Sequence, residues 1–290
     1  RLRCSSGEPG VTTLEDSYRC CKDLSRRHGS SYFWSAKLLP PAKQRHVHAL
    51  YALARTADDI VDARPAPGSD PASDLSGLAN RFFSDLEAGR SDDRVLMAVV
   101  DTARRFDIAP DAFRRFFEAM KMDLTIASYE SWHDLLGYMD GSAAVIGEMM
   151  LPILAPSDPI AAHGPARDLG LAFQLTNFLR DIDEDLDRGR QYVPQDDLRR
   201  FGVDLTERRS TPEFVALMKF EIVRCRTLYV SAGEGISLLP RRSAQCIRAA
   251  HDVYARILNQ IERLDHDVFA VRARVSMPAK LALIARQLVT

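Results

Sequence analysis

Gln174-Leu-Thr-Asn177-Phe-Leu-Arg180-Asp181-Ile-Asp-Glu-Asp185-Leu-Asp-Arg188-Gly-Arg190-Gln-Tyr192 is the stretch that decides how this chain is read. Asn177, Asp181 and Asp185 recur every four residues. On an α-helix each such step drifts by only about 40° and rises about 6 Å, which makes a ladder of hard oxygen donors about 12 Å long. Phe173, Leu175, Phe178, Leu179, Ile182 and Leu186 fill the other faces, so the helix is expected to be largely enclosed. A polar ladder on an enclosed helix needs partners, or it costs several kcal/mol.

A second acidic stretch stands upstream, Tyr51-Ala-Leu-Ala-Arg55-Thr-Ala-Asp58-Asp59-Ile-Val-Asp62. In a helix Asp58 and Asp62 are one turn apart, and Arg55 and Tyr51 continue the same stripe. Taken alone, the stripe reads equally well as a solvated face. Two such ladders facing each other read differently. Mg²⁺ takes one or two carboxylates and completes an octahedral oxygen shell with phosphates and water. A diphosphate is repelled by carboxylates but is held by cations that bridge to them, with arginines on its outer oxygens. The paired clusters therefore point to a site that binds and ionises a diphosphate. Mn²⁺ is the second choice of metal, and zinc is unsuited because the set lacks His and Cys.

Composition narrows the class. The chain has 290 residues, 46% hydrophobic and 27% charged, enough for a sizeable core. A formal net charge of −1 argues against a nucleic-acid binder working through bulk charge. Cys4, Cys20, Cys21, Cys225 and Cys246 are odd in number and show no CxxC pair, which supports neither a zinc site nor a disulfide framework and fits a reducing, cytoplasmic setting. No apolar run reaches the roughly 20 residues that span a bilayer.

Helical signals dominate the whole length. A polar start at Thr13 leads a helix to His28 that Gly29 can end. Pro110 and Asp111 open another over Ala112 to Ser128, and Ser276 with Pro278 starts a last one that ends near Leu288. Ala63 to Asp74 is too rich in Pro, Gly and Ser for a helix and reads as a surface loop within one domain. No alternating runs and no βαβ rhythm occur. The expected class is all-α.

These motifs, with others in the same order, resemble the squalene and phytoene synthase family over nearly the whole chain. The matching blocks are HGSSYFWSAKLLP (28–40), YALARTADDIVD (51–62), YMDGSAAVIGEMM (138–150), QLTNFLRDIDEDLDRGRQYVP (174–194), GISLLP (235–240) and RARVSMPAKL (272–281). The resemblance implies one isoprenoid-synthase helical bundle over 13–290 after a tail of 1–12, with a deep central cavity and the acidic motifs near its mouth. It implies that Asp58, Asp62, Asn177, Asp181 and Asp185 hold Mg²⁺ and that the four aspartates and Tyr254 form the catalytic set. His28, Gly29, Ser30, Ser31, Tyr51, Arg55, Gln174, Asn177 and Arg180 would meet the substrate, and Arg190 and Tyr192 would belong to a flap over the site. Gly29 replaces a serine common in relatives, which leaves only a backbone role there. Asp140 stands where several relatives have an aromatic residue, and is read as a helix-surface carboxylate rather than a proton acceptor.

The implied reaction is head-to-head condensation of two geranylgeranyl diphosphates to phytoene through a cyclopropylcarbinyl diphosphate. Apolar and aromatic side chains would keep water from its cations, with Phe33, Trp34, Phe173 and Phe178 as candidates. The block GSAAVIG (141–147) looks more like phytoene-forming than squalene-forming relatives, although its small residues also suit close helix packing. The alternatives are a squalene-type synthase using farnesyl diphosphate and a non-catalytic scaffold of the same fold; the intact acidic ligands speak against the scaffold. A hydrocarbon product favours peripheral contact with a membrane. Oligomeric state is left open.

Overall fold

The computed structural model describes residues 13–28, 30–62 and 70–289. The proposed tail of 1–12 lies outside them. The described residues are 78% helical and hold no strand, only an isolated parallel bridge between Ser128 and Gln191. The all-α expectation is met.

The chain begins with α1 (Leu14–His28), α2 (Ser30–Ala36), α3 (Pro41–Val61) and α4 (Pro71–Ala88). Then come α5 (Arg94–Arg105), α6 (Pro110–Met122) and α7 (Trp132–Met139). A π-helical turn over Asp140–Ala144 leads into α8 (Val145–Leu154), α9 (Pro159–Arg180) and α10 (Ile182–Asp187). The rest is α11 (Gln195–Phe201), α12 (Pro212–Glu234), α13 (Arg241–Arg263) and α14 (Met277–Val289). Proline in the first turn opens α3, α4, α6, α9 and α12, where its missing N–H costs nothing. Asp70, Asp158 and Thr211 cap three of these by accepting first-turn amides.

Three expectations about helix bounds and cysteines need correction. Pro71–Asp74 is helix rather than loop, because Asp70 accepts the Ala72 amide and Pro71 pre-sets the first turn; residues 63–69 lie outside the described ones. The helix expected to reach Ser128 stops at Met122. Its continuation is given up to side-chain and backbone bonds with the 190–192 segment, described below. Cys21, Cys225 and Cys246 are free and buried, whereas Cys20 is disulfide-bonded.

Two apolar bodies flank the middle of the molecule. One, with Leu53, Phe82, Val99, Phe113 and Phe117, ties α3 to α4, α5 and α6. The other, with Leu175, Phe178, Met218, Tyr229 and Leu258, ties α9 to α12 and α13. Bridging the two, α8 and the π-turn press on α9. A Cβ at Gly170 would collide with the Ala143 backbone, and one at Gly147 with the Ala166 backbone. Close packing therefore accounts for the small residues of the 141–147 block. Asp140 is not a lone surface carboxylate. It accepts from Arg115 Nε at 3.0 Å and Nη2 at 2.8 Å, and Arg167 bonds it as well. Glu148 joins the same two arginines, so four charges lock α6, the π-turn, α8 and α9 together. No helix among the described residues is long and apolar enough to cross a membrane.

Candidate active site

Between α3 and α9 lies a cavity of about 980 Å³, walled also by α2, α8 and α13. Its deep part is apolar, with Leu50, Phe116, Ile146, Leu154, Ala166 and Ile236 among the lining residues. Its other end is crowded with charge: Asp58, Asp62, Asp123, Asp181, Glu184 and Asp185 face Arg55, Arg180, Arg188, Arg190, Arg272, Arg274 and Lys280.

The upstream stripe forms as expected. Tyr51, Arg55, Asp58 and Asp62 all line the cavity, with Asp62 just past the end of α3. Arg55 bonds Asp59 one turn on, and its Nε is buried without a partner. Asp58 is reached by solvent through the cavity, yet protein surrounds it. That enclosure, reinforced by Asp62, pushes its carboxyl up to about 7.

The downstream ladder departs from one continuous helix. α9 ends at Arg180 and α10 starts at Ile182, with Asp181 between them at φ −107° and ψ 17°. The hydrogen-bond path nevertheless continues: Asp181 N donates to Asn177 O and Asp185 N to Asp181 O, both at 2.9 Å. The break has a cause in charge. Arg180 grips Asp181 with Nε at 2.7 Å and Nη2 at 2.5 Å, and Arg272 grips it again at 2.7 and 2.9 Å. Burial alone would raise Asp181, but the two guanidiniums outweigh it and hold the carboxyl below the usual range. Asp185 has no such pair. Burial and the nearby Asp181 push it up to about 7, with only Arg188 bonding it, at 3.3 Å. Asn177 Oδ1 is buried with no hydrogen-bond partner.

His28, Ser31, Gln174, Asn177, Arg180, Arg190 and Tyr254 line the same cavity. Gly29 lies outside the described residues, and Ser30 opens α2. Tyr254 sits among rings, 5.0 Å from Tyr32 and 4.4 Å from Phe173 between centroids. Of the four expected water-excluding aromatics, Phe173 and Phe178 line the cavity. Phe33 packs on Trp34 and on His48, and neither Phe33 nor Trp34 is among the cavity walls.

Several site residues escaped the sequence reading. Arg272, Arg274 and Lys280 come from the block 272–281, whose cations show no helical spacing to the acidic motifs. Tyr32 stands inside the His28–Pro40 block as one aromatic residue with no spacing that marks it. Asp123 carried no signal, being one acidic residue at a helix end.

Whether these residues suit a cation can be tested on their own bonding. Among the described residues no three His, Cys, Asp or Glu side chains come close enough to hold a metal alone. That is the arrangement Mg²⁺ tolerates, since it takes few protein ligands and fills its shell from phosphate and water. Asn177 Oδ1, Asp58 and Asp185 are under-compensated acceptors, and Arg55 Nε is an uncompensated donor. The acceptors suit a cation and the donor suits an anion. The residues fit a magnesium–diphosphate pair.

The sequence model of the squalene/phytoene synthase family matches residues 25–279. The 15-cis-phytoene synthase of Synechocystis is 33% identical over 93% of this chain and 83% of its own length. The phytoene synthase of Arthrospira platensis is 33% identical over 91% of this chain and 89% of its own. Among solved structures, a dehydrosqualene synthase superposes with a TM-score of 0.87 at 27% identity, covering 95% of this chain and 96% of its own. A squalene synthase from Alicyclobacillus acidocaldarius gives 0.79 at 26%, over 88% and 96%. On its fold, its cavity and these likenesses, the chain belongs to the squalene/phytoene synthase family of prenyltransferases.

Proposed function

We propose that this prenyltransferase joins two C20 prenyl diphosphates head to head to give phytoene, using Mg²⁺ or Mn²⁺ and releasing diphosphate. The observation that carries the reading is the pairing of under-compensated acceptors at Asn177, Asp58 and Asp185 with the unpartnered donor Arg55 Nε. Asp58, Asp62, Asn177, Asp181 and Asp185 would hold the metal, which supplies charge neutralisation to the departing diphosphate. Arg55 Nε and the lining cations Arg188, Arg272, Arg274 and Lys280 bind the outer phosphate oxygens.

The donor's C–O bond breaks with its electron pair on the diphosphate. The acceptor's double bond supplies the electrons for the new C–C bond, and loss of a proton closes the cyclopropane ring. A second ionisation breaks the remaining C–O bond, and loss of another proton leaves the hydrocarbon. Rings of Tyr32, Tyr51, Phe173 and Tyr254 lie where they can face the cations, and the apolar depth excludes water. The names of the 33%-identical relatives support the C20 reading. The 26–27% structural neighbours favour a C15 substrate as the second reading. Pyrophosphate release from the C20 diphosphate tests the proposal: it should require Mg²⁺ or Mn²⁺ and stop with chelator, and release unaffected by chelation would refute it.

A further inference from the structure

Asp123 stands at the end of α6 with no place in the metal or diphosphate set. Its Oδ2 accepts from Tyr138 Oη at 2.7 Å, and its Oδ1 from Tyr192 Oη at 2.9 Å. One carboxylate thus joins α6 and α7 to the segment that follows α10. That segment is pinned further by Arg190 N to Asp185 O at 2.9 Å and Gln191 N to Ala127 O at 2.7 Å. The Tyr192 ring stacks on Phe178 at 3.8 Å, nearly parallel at 9°. Two residues before Tyr192, Arg190 extends its guanidinium across the charged end of the cavity. It donates Nη1 to Asp62 at 2.9 Å and Nη2 to Val61 O at 3.3 Å. The position of that cation therefore depends on where the segment is anchored, and the anchor's one side-chain hydrogen bond from Tyr192 ends on Asp123.

We propose that Asp123 is a positioning residue, which touches no substrate but anchors Tyr192 so that Arg190 is held over the diphosphate end of the cavity. The inference rests on the proposed function. A carboxylate suits the task because it is acceptor-only and takes both tyrosine hydroxyls at once, whereas an amide has a single acceptor oxygen. The two tyrosines differ in what they connect. Tyr192 carries the anchor to Arg190, while Tyr138 belongs to α7 and does not.

The test is a double-mutant cycle on binding of inorganic pyrophosphate with Mg²⁺, read by calorimetry on the full chain, together with tryptic cleavage of the ligand-free protein. Asp123→Asn and Tyr192→Phe should each weaken pyrophosphate binding about 10-fold, and Tyr138→Phe less than 3-fold. Arg190→Ala should weaken it as well, and adding Asp123→Asn to Arg190→Ala should cost nothing further, because both act through one guanidinium. Trypsin should cut after Arg188 and Arg190 several-fold faster in Tyr192→Phe than in the parent. In turnover, KM should rise and kcat stay within about 3-fold. If Asp123→Asn fails to fold, Tyr192→Phe with Arg190→Ala completes the same cycle. Losses that multiply in the double variant, with the parent binding normally, would overturn the positioning role alone. A parent that binds no pyrophosphate with Mg²⁺ would overturn the proposed function and this inference together.

Discussion

Replacing Ala166 with phenylalanine should turn the enzyme away from C20 substrates while sparing C15. Ala166 lines the cavity on α9, eleven residues before Asn177. At 1.5 Å per residue it lies about 16 Å from the ladder, and Ala162, also in the wall, about 22 Å away. Three bonds of an extended chain reach about 3.3–3.6 Å, so the four chain bonds of an isoprene unit reach about 4.6 Å. A C15 chain then ends near 14 Å and a C20 chain near 18 Å, on either side of Ala166. A phenyl ring there takes the room of the last unit. Five carbons denied burial, at about 0.8 kcal/mol each, lose about 4 kcal/mol, which is nearly 10³-fold in affinity. The assay is kcat/KM with each diphosphate, alongside a melting curve. C20 use should fall 10²–10³-fold and C15 use by less than about 5-fold. Equal losses for both, or an unchanged C20 rate in a folded variant, would refute the placement of the chain along α9.

Asp58→Ala, Asp181→Ala and Asp185→Ala should each lower turnover at least ~10²-fold, the usual cost of losing charge stabilisation in a transition state; near-parental turnover in a folded variant would remove that residue from the site. Asp140→Asn should slow turnover less than Asp181→Asn but lower the melting temperature, since Asp140 holds Arg115 and Arg167 and does not line the cavity; a larger rate loss at Asp140 with stability intact would reverse that order. His48 is 1% exposed, and burial holds its ring neutral, down to about 4. The unfolded ring takes up a proton below about pH 6.5, so this contribution to stability is present above 6.5 and lost as pH falls, by about 2 kcal/mol at pH 5. The deficit of His48→Phe in denaturant titrations should therefore shrink by about 2 kcal/mol between pH 7 and pH 5, and a constant deficit would contradict it.

The sequence carried the site further than it carried the bonds within it. Four-residue spacing was enough to put Tyr51, Arg55, Asp58 and Asp62 on one stripe and Asn177, Asp181 and Asp185 on another, because helical geometry is local. The break at Asp181 was not legible, since it follows from Arg272, ninety-one residues away, gripping the same carboxylate as Arg180. The early end of α6 has a similar origin. Phe113, Phe116, Phe117, Met120 and Leu124 keep a helical period, but Asp123 and Ser128 find partners in the 190–192 segment that no local pattern announces. Asp140 also resisted reading, because a charge looks solvent-facing until its two arginines, from α6 and α9, are brought beside it. Proline and aspartate at 70–71 were legible as cap chemistry, and only the Pro–Gly–Ser richness upstream masked it.

Product analysis tests the central claim most directly. Incubated with the C20 diphosphate and Mg²⁺ and no nicotinamide, the enzyme should yield phytoene as its main hydrocarbon, and NADPH should leave product and yield unchanged. A C30 hydrocarbon made efficiently from the C15 diphosphate, with yield rising when NADPH is added and no C40 product from the C20 diphosphate, would contradict it.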